Sequence, residues 1–349
     1  MSVENVSDAP QGFDTAAVER WIGANLSSLV PPLRWERLPG GHSNLTYRIT
    51  DASGRVAVIR RPPMGELLPM AHDMAREWAI ISALAPTPVP VAQPLGFCDD
   101  PAVTGARFYV MGHVDGRPMY SGEDVDAMVP EPERRALGWS FIDTLAALHA
   151  VDPDAVGLGT LGKRDSYVGR QLRTWYRSWT ASVDDARYDD ERAHSLQKFL
   201  AENLPEQESV RVVHGDFGLH NVLIGPDCRV AAVVDWEIST LGDPLADLAY
   251  ALNQWAEPGD AVPVRENAPT MRPGFPTRAE LAARYADRTG RDLSRLSYYL
   301  AFNWWKSACI VHGVYARYLA GKKSTEGVDL AGLKNQFVRY LGLAQQAIG

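Results

Sequence analysis

Residues 212–248, VVHGDFGLHNVLIGPDCRVAAVVDWEISTLGDPLADL, constrain the possible fold of this chain more than any other stretch. Short apolar runs rich in valine alternate here with polar residues and a Gly-Pro-Asp turn, a pattern typical of β-strands joined by tight loops. Asp216, Asn221 and Asp235 then fall where a strand meets a loop, on one edge of a small hairpin. Catalytic side chains are frequent at such loop ends on a rigid scaffold. The predicted strands of this segment are residues 210–213, 221–224 and 230–234.

These three polar residues carry the groups that phosphoryl transfer requires. The reaction needs a carboxylate to hold and deprotonate the acceptor hydroxyl, and oxygen ligands for Mg²⁺. Asp216 can provide the carboxylate, while Asn221 and Asp235 can provide the ligands. Each residue by itself would more commonly be a turn or cap residue. The long pattern H-G-D-x-x-x-x-N, followed by D-W-E and G-D-P-x-x-D-L-A on one short segment, favours the catalytic interpretation.

HGDFGLHN followed by DWE and GDPLADLA resembles the catalytic segment of the aminoglycoside phosphotransferase family, distant relatives of the protein kinases. Protein kinases have H-R-D-x-x-x-x-N and a later D-F-G in this place. The resemblance implies that Asp216 is the catalytic base and that Asn221 and Asp235 bind Mg²⁺. It also implies that His214 and Asp247 support the loop structurally. The implied fold is α+β and bilobal, protein-kinase-like, with an antiparallel N-lobe sheet plus a helix and a larger, mostly helical C-lobe that carries the catalytic hairpin.

A glycine-rich turn, Pro-Gly-Gly-His-Ser-Asn, separates two predicted strands near the start of the chain. Glycine has no Cβ, so backbone N–H groups can approach a phosphate there, although a plain hairpin is the alternative. GGHSNLTY resembles the family's phosphate loop, while departing from the protein-kinase pattern G-x-G-x-x-G. The resemblance therefore implies that the nucleotide is bound by Gly40, Gly41, Ser43 and Asn44.

Arg60 ends the next predicted strand, where a kinase has a lysine that pairs with the α- and β-phosphates and with a glutamate on the following helix. We expect Arg60 to take this role, as a catalytic and a nucleotide-binding residue. A guanidinium can bind phosphate bidentately, but its geometry differs from that of an ammonium. Glu77 is the candidate partner, with a solvated helix glutamate as the alternative. Val58 lies on the same strand face as Arg60 and is expected to line the adenine.

The turn-rich segment from Gly112 to Pro118 is typical of a hinge between lobes. We therefore predict an N-terminal nucleotide-binding lobe at 1–111, a hinge at 112–118 and a helical C-terminal lobe with the catalytic loop and acceptor site at 119–349. The remaining residues expected to contact the nucleotide base are Met111, Gly112, His113, Val114 and Leu223. The remaining predicted strands are 33–38, 45–49, 56–60, 91–97 and 108–111. The predicted helices are 15–26, 69–84, 131–150, 167–180, 187–204, 245–254, 278–289, 293–317 and 330–347.

Composition limits the class of protein. A chain of 349 residues exceeds the usual single-domain length, which agrees with two lobes. The net charge of −8 argues against a nucleic-acid binder, which normally presents a basic face. The chain has no run of 18 apolar residues and begins with a polar, acidic segment, so we expect neither a membrane span nor a signal peptide. Three widely spaced cysteines fit a reducing compartment, and we expect the protein to be cytoplasmic.

The sequence therefore predicts an ATP-dependent phosphotransferase, with GTP possible, that uses Mg²⁺ and acts on a small-molecule hydroxyl. A nucleotide-binding pseudokinase is an alternative, which Arg60 favours slightly and the intact Asp216, Asn221 and Asp235 disfavour. A nucleic-acid kinase would need a basic, aromatic stripe that this chain lacks. The oligomeric state is left open.

The acceptor is predicted from the charge of the C-terminal segment. Residues 265–349 hold thirteen basic and six acidic side chains, a net charge of +7, although a solvated helix face is the alternative. Aminoglycosides are polycations and need a carboxylate-rich pocket. One predicted helix carries aromatic and basic side chains that would suit an anionic, partly apolar acceptor: Trp304, Trp305, Lys306, His312 and Arg317.

Two further motifs bear on the acceptor. The R-R-P-P that follows the third strand and the later G-V-Y-A-R resemble the kinase-like domains fused to some acyl-CoA dehydrogenases. That resemblance implies a hydroxy acid or hydroxyacyl thioester as the substrate. We therefore predict a hydroxy acid or hydroxyacyl-CoA acceptor, with an aminoglycoside as the alternative.

Overall fold

The structure, a computed structural model, describes residues 10–38, 44–64, 73–260 and 267–349. Their contacts divide the chain into two units. The first unit comprises Met1–Pro118, Val156–Leu158 and Asn221–Ile238, and the second comprises Met119–Ala155, Gly159–His220 and Ser239–Gly349. The hairpin that contains Asn221 and Asp235 thus packs with the N-terminal part of the chain. The lobe boundaries predicted from the sequence stay a prediction.

The elements are numbered in chain order. The helices are α1 Thr15–Asn25, α2 Met74–Leu84, α3 Gly122–Met128, α4 Glu131–Ala150, α5 Tyr167–Ala186, α6 Glu191–Glu202, α7 Pro244–Gln254, α8 Arg278–Thr289, α9 Leu296–Leu319 and α10 Leu330–Ile348. The strands are β1 Arg34–Arg37, β2 Leu45–Thr50, β3 Val56–Arg61, β4 Pro94–Cys98, β5 Phe108–Gly112, β6 Arg211–Val213, β7 Val222–Ile224, β8 Val230–Val233 and β9 Thr240–Gly242.

A five-stranded sheet organises the first unit. Its strand order is β1-β2-β3-β5-β4, and every neighbouring pair is antiparallel. Leu45, Tyr47 and Ile49 of β2 are buried while the intervening residues are half-buried, as the two-residue period of a strand requires. The buried face packs against α1 through Val18 and Ile22, which are fully buried. This sheet, together with the mostly helical second unit, confirms the predicted α+β class.

Helix α2 begins at Met74 because Asp73 caps it. The Asp73 backbone is extended, and its carboxylate accepts hydrogen bonds from the N–H groups of Ala75 and Arg76. Such a cap satisfies donors that have no partner inside the helix. The described part of the predicted helix 69–84 therefore begins at Met74, and residues 69–72 lie outside the described part of the chain. The helix packs against β4 and β5 and buries Glu77.

The segment 212–248 forms two separate pairs of strands. Strands β7 and β8 form the predicted hairpin in the first unit, with Val222 opposite Val233. Strand β6, which corresponds to the predicted strand 210–213, pairs in the second unit with β9. The sequence did not predict β9, because its three residues, Thr-Leu-Gly, contain too little apolar periodicity to indicate a strand.

The long helix α9 is the centre of the second unit, where it packs against α5, α7 and α10. Trp305 of α9 is completely buried, and its indole N–H donates to the carbonyl of Ala193 at 2.9 Å. His312, further along the same helix, stacks on Trp179 with 3.9 Å between ring centroids. No helix in the ranges that the structure describes is long and apolar enough to cross a membrane.

Several helix ends follow from local caps. The predicted helices 131–150 and 278–289 coincide with α4 and α8, and α8 starts with a capping box formed by Thr277 and Glu280. The predicted break at residue 180 is wrong, because α5 continues to Ala186 and ends where Arg187 adopts a left-handed φ of 49°. Helix α3 was not predicted from the sequence, although Ser121 and Asp124 form a capping box at its start.

Candidate active site

Arg60 is the centre of a charged network in the first unit. Its Nε lies 3.0 Å from Glu77 Oε2, and a terminal guanidinium N–H donates to Asp235 Oδ1 at 2.9 Å. Glu77 also accepts hydrogen bonds from the Tyr109 hydroxyl at 2.8 Å and from the Asn44 amide at 3.3 Å. The structure thus brings together the predicted site residues Arg60, Glu77, Asp235 and Asn44.

Burial makes this network costly to disrupt. The Glu77 side chain is 2% exposed, so its charge depends on protein partners instead of water. Burial disfavours the charged form of Arg60, but Tyr109, Glu77 and Asp235 outweigh it and raise the pKa of the guanidinium above its usual high value. Tyr109 was not predicted from the sequence. It lies opposite Arg60 on the neighbouring strand β5, so the strand register could have indicated it.

Asn221 and Asp235 lie at the same end of the β7–β8 hairpin. Asn221 directly precedes β7, whose first residue Val222 is paired with Val233 near the end of β8. The Val234 N–H donates to the Asn221 carbonyl at 3.0 Å, which extends this pairing by one step. Asp235 follows with a left-handed φ of 65°, a conformation that is uncommon outside glycine and that turns the chain sharply.

The donor set at this end of the hairpin fits Mg²⁺. Hard oxygen ligands are present here in the side chains of Asn221, Asp235 and the neighbouring Glu237. Glu237 also accepts a hydrogen bond from the Asn44 amide at 3.4 Å. The described residues contain no cluster of three or more His, Cys, Asp or Glu side chains arranged for a metal. Magnesium does not require such a cluster, because it is usually bound through one or two carboxylates together with waters and substrate phosphates.

Asp247 fixes the backbone of the Asp216 loop in the second unit. It lies in the first turn of α7, is 3% exposed, and accepts hydrogen bonds from the N–H groups of His214 at 2.7 Å and Gly215 at 2.8 Å. His149 Nε2 lies 3.2 Å from the same carboxylate, and the Tyr285 hydroxyl lies 2.7 Å from His149 Nδ1. Burial raises the pKa of Asp247, but these hydrogen bonds outweigh it and hold the pKa below its usual range.

Asp216 itself is held by two side chains that were not predicted from the sequence. The Tyr250 hydroxyl donates to Asp216 Oδ1, and His220 Nε2 lies 3.3 Å from the same oxygen. Burial would raise the pKa of Asp216, but His220 and Tyr250 outweigh it and lower the pKa to about 2. His220 belongs to the HGDFGLHN motif, four residues after Asp216. Tyr250 lies three residues after Asp247 on α7, which is the helical spacing that places two side chains on one face.

A small, partly open cavity of about 30 Å³ lies beside His220 in the second unit. Its walls are mostly apolar and include Met119, Phe141, Leu219 and Trp255. Of the described residues that line it, none is Asp or Glu. This lining favours contact with an apolar group over contact with a polycation.

The residues predicted to surround the nucleotide base belong to the first unit. Val58 pairs with Met111 across β3 and β5, and Gly112 is the last residue of β5. His113 and Val114 follow it, and the Arg117 backbone then pairs with Ile224, the residue after Leu223. Gly116 permits this approach, because a Cβ there would lie 2.9 Å from the Ile224 carbonyl oxygen. Gly40, Gly41 and Ser43 of the predicted phosphate loop lie outside the described residues.

The aromatic part of the surface predicted on α9 is wrong, whereas Lys306 is half-buried and Arg317 is exposed. Trp304 is 6% exposed, and Trp305 and His312 are completely buried. Trp304 packs against Tyr340, with 5.1 Å between ring centroids, and His312 stacks on Trp179. These side chains therefore form the core between helices and are not available to a ligand.

Part of the positive charge of residues 265–349 is neutralised in the fold. Acidic side chains from earlier in the chain bind several of its cations: Arg272 pairs with Asp126 at 2.8 Å, Arg284 with Asp143 at 2.6 Å, and Lys322 with Asp185 at 2.7 Å. The charge excess along the sequence therefore overstates the charge excess on the surface, and by itself it does not support an anionic acceptor.

Comparison with known proteins gives one family match. The model of the phosphotransferase enzyme family APH matches residues 34–299. Acyl-CoA dehydrogenase family member 11 of Gallus gallus is 36% identical over 327 residues, which are 90% of this chain and 41% of that protein. The chain thus spans about two fifths of the length of this protein and of its human and rat counterparts.

Two solved structures illustrate the similarity of fold. A Ralstonia eutropha protein, provisionally named an aminoglycoside phosphotransferase, has a TM-score of 0.82 and 29% identity, covering 96% of this chain and 98% of that one. A choline kinase from Cryptosporidium parvum has a TM-score of 0.65 and 12% identity, covering 96% of both chains. The second likeness concerns the fold alone.

Proposed function

Because the chain belongs to the phosphotransferase enzyme family, we propose that Asp216 is its catalytic base and that its acceptor is a hydroxy acid or a hydroxyacyl-CoA. Membership supports a small-molecule kinase that transfers a phosphoryl group to a hydroxyl, as predicted, and the kinase-like fold is confirmed. The family uses ATP with Mg²⁺. The residue roles and the acceptor are the proposal.

In the proposed reaction, Asp216 binds and deprotonates the acceptor hydroxyl. Its carboxylate accepts a hydrogen bond from the acceptor hydroxyl and takes the proton as the hydroxyl oxygen bonds to the γ-phosphorus. The bond between the γ-phosphorus and the β–γ bridging oxygen breaks, and ADP leaves. A carboxylate with a pKa of about 2 is a weak base, so its main contribution is orientation, with proton transfer late in the reaction.

The first unit supplies the proposed nucleotide and metal ligands. Asn221 and Asp235 would hold Mg²⁺, which neutralises charge on the β- and γ-phosphates when it is bound. Arg60 would reach the phosphates from its position between Glu77 and Asp235. The proposed phosphate loop comprises Gly40, Gly41, Ser43 and Asn44. The proposed base pocket comprises Val58, Met111, Leu223 and the backbone of Gly112, His113 and Val114. ATP is the proposed donor, with GTP as the alternative.

Replacing Arg60 by lysine tests how strictly this network needs a guanidinium. The single ammonium of Arg60→Lys cannot keep the contacts with both Glu77 and Asp235, so we expect the KM for ATP to rise about tenfold. In Arg60→Met, which has no cation, we expect the KM for ATP to rise by about a hundredfold or more. Steady-state kinetics with varied ATP measure both. An equivalent pair at the half-buried Arg48, Arg48→Lys and Arg48→Met, should leave KM unchanged. Wild-type KM in Arg60→Met would contradict a phosphate role for Arg60.

The cavity beside His220 carries the proposal for the acceptor. A polycationic aminoglycoside needs opposing carboxylates, and the cavity has none among the described residues that line it. Its apolar walls suit an acyl chain instead. The curated relatives are named as acyl-CoA dehydrogenase family members, and this chain matches about two fifths of each. A kinase segment within such a protein would act on the same class of substrate as the dehydrogenase, which also favours an acyl acceptor. The provisional name of the Ralstonia eutropha neighbour favours the alternative, an aminoglycoside.

An acceptor panel tests the proposal directly. The assay measures ATP consumption by the purified protein with three kinds of acceptor: hydroxy acids of six to ten carbons, their CoA thioesters, and kanamycin. Each compound is compared with its deoxy analogue, which lacks the acceptor hydroxyl. We expect turnover with the hydroxy acids or their thioesters, none with the deoxy analogues, and kcat/KM for kanamycin lower by about a hundredfold or more. Efficient phosphorylation of kanamycin without turnover of either acyl class would establish the alternative acceptor.

The same assay addresses the pseudokinase alternative. A binding module has no need for a catalytic carboxylate, whereas this chain keeps Asp216 hydrogen-bonded in an ordered loop. Nucleotide binding without product formation across the panel and a wider set of alcohols would favour the pseudokinase.

A further inference from the structure

Lys306 is a cation close to the proposed catalytic base that the mechanism above does not use. It lies on α9, half-buried, and its ammonium is 6.0 Å from the centroid of the Tyr250 ring. The hydroxyl of that same ring donates to Asp216. One tyrosine therefore connects the two groups, with its hydroxyl on Asp216 and its ring face toward Lys306.

Few groups of the protein stabilise the charge of the Lys306 ammonium. No hydrogen bond or ion pair of this side chain is formed with the residues that the structure describes, and its contact is with the Tyr250 ring. Burial lowers the pKa of Lys306, while the carboxylates of Asp247 and Asp216 raise it less. Removing an ammonium from water is unfavourable unless an anion or a hydrogen-bond acceptor replaces the water. Lys306 is therefore suited to receive such a group from a ligand.

We propose that Lys306 determines acceptor specificity by binding the carboxyl-derived oxygen of the acceptor, either a free carboxylate or a thioester carbonyl, while Asp216 holds the hydroxyl. This inference rests on the proposed role of Asp216 and narrows the acceptor from alcohols in general to those with an acyl oxygen near the hydroxyl. A neutral alcohol of the same carbon skeleton lacks the second contact and binds more weakly.

The test compares acyl acceptors with matched compounds that lack the acyl oxygen. The pairs are a hydroxy acid with the corresponding diol, and a hydroxyacyl-CoA with the CoA thioether in which a methylene replaces the carbonyl. Wild type should prefer the acyl member in kcat/KM, and Lys306→Met should reduce this preference about ten- to a hundredfold, mainly through KM. Lys306→Arg keeps the charge and should retain most of the preference, and it serves as the second variant if Lys306→Met folds poorly.

Lys334→Met is the matched control. Lys334, on α10, is also half-buried and lies 4.7 Å from the centroid of an aromatic ring, that of Tyr188. We expect this variant to keep the wild-type preference. If Lys306→Met lowers kcat equally for both members of a pair, Lys306 only positions Asp216, and the specificity role is overturned.

The outcomes also separate this inference from the proposed function. If wild type phosphorylates acyl acceptors but Lys306→Met keeps the wild-type preference, the specificity role is wrong and the proposed function stands. If wild type phosphorylates alcohols without any preference for an acyl oxygen, both the acyl acceptor and the role of Lys306 are wrong.

Discussion

Asp216→Asn is expected to lower kcat by about 10²- to 10⁴-fold while leaving nucleotide affinity within about twofold. Asparagine has nearly the same shape and can still accept the Tyr250 hydrogen bond, but it cannot take the acceptor proton. Phosphoryl transfer would be measured under steady state, and ATP affinity by calorimetry. Asp227→Asn, an exposed aspartate in the turn between β7 and β8, should behave like wild type in both measurements.

The pH dependence adds a second readout for Asp216. Its pKa of about 2 lies below the ordinary value, so the carboxylate is ionised at neutral pH and becomes protonated only in strong acid. We therefore expect that protonation of Asp216 causes no fall in kcat/KM between about pH 8 and about pH 5. Wild type and Asp216→Asn should then have parallel profiles over this range. Equal turnover in the two proteins would exclude Asp216 as the base.

Asp247→Ala is expected to destabilise the protein by about 3 kcal/mol or more. The substitution leaves the N–H groups of His214 and Gly215 without their acceptor and removes the partner of the buried His149. Asp247→Asn keeps one acceptor oxygen and should cost less. Urea denaturation followed by circular dichroism measures the free energy of unfolding.

The exposed Asp287 on α8 provides the control for this prediction. Asp287→Ala should change the free energy of unfolding by less than about 0.5 kcal/mol, because surface substitutions away from caps and networks are usually small. A loss below about 1 kcal/mol in Asp247→Ala would mean that the loop backbone does not depend on this carboxylate.

Local sequence patterns predicted much of the fold. The ends of α4 and α8 agree with the predicted helices, and the strands of the five-stranded sheet followed from two-residue alternation and turns. These signals act within one or two helical turns, so the sequence contains them completely. The motif HGDFGLHN likewise indicated Asp216 and Asn221, because both residues belong to one continuous pattern.

Contacts between residues far apart in the chain determine the features that were predicted wrongly from the sequence. Several cations of residues 265–349 seem unopposed in the sequence because their partners lie far away in the chain: Arg284 and its partner Asp143 are 141 residues apart. Trp305 and His312 appeared available to a ligand because helical periodicity gives the spacing of a face and not the element that covers it. Only the packing of α9 against its neighbours determined that this face is core.

The sequence by itself determined the type of chemistry, since the spacing of Asp216, Asn221 and Asp235 is a property of one continuous segment. The tertiary structure decided what surrounds them. Tyr250 reaches Asp216 from α7 and Lys306 approaches Tyr250 from α9, so their proximity depends on how two helices pack. Side chains that meet in this way obey no fixed spacing along the chain, because the contact is set by the shapes of the packed surfaces.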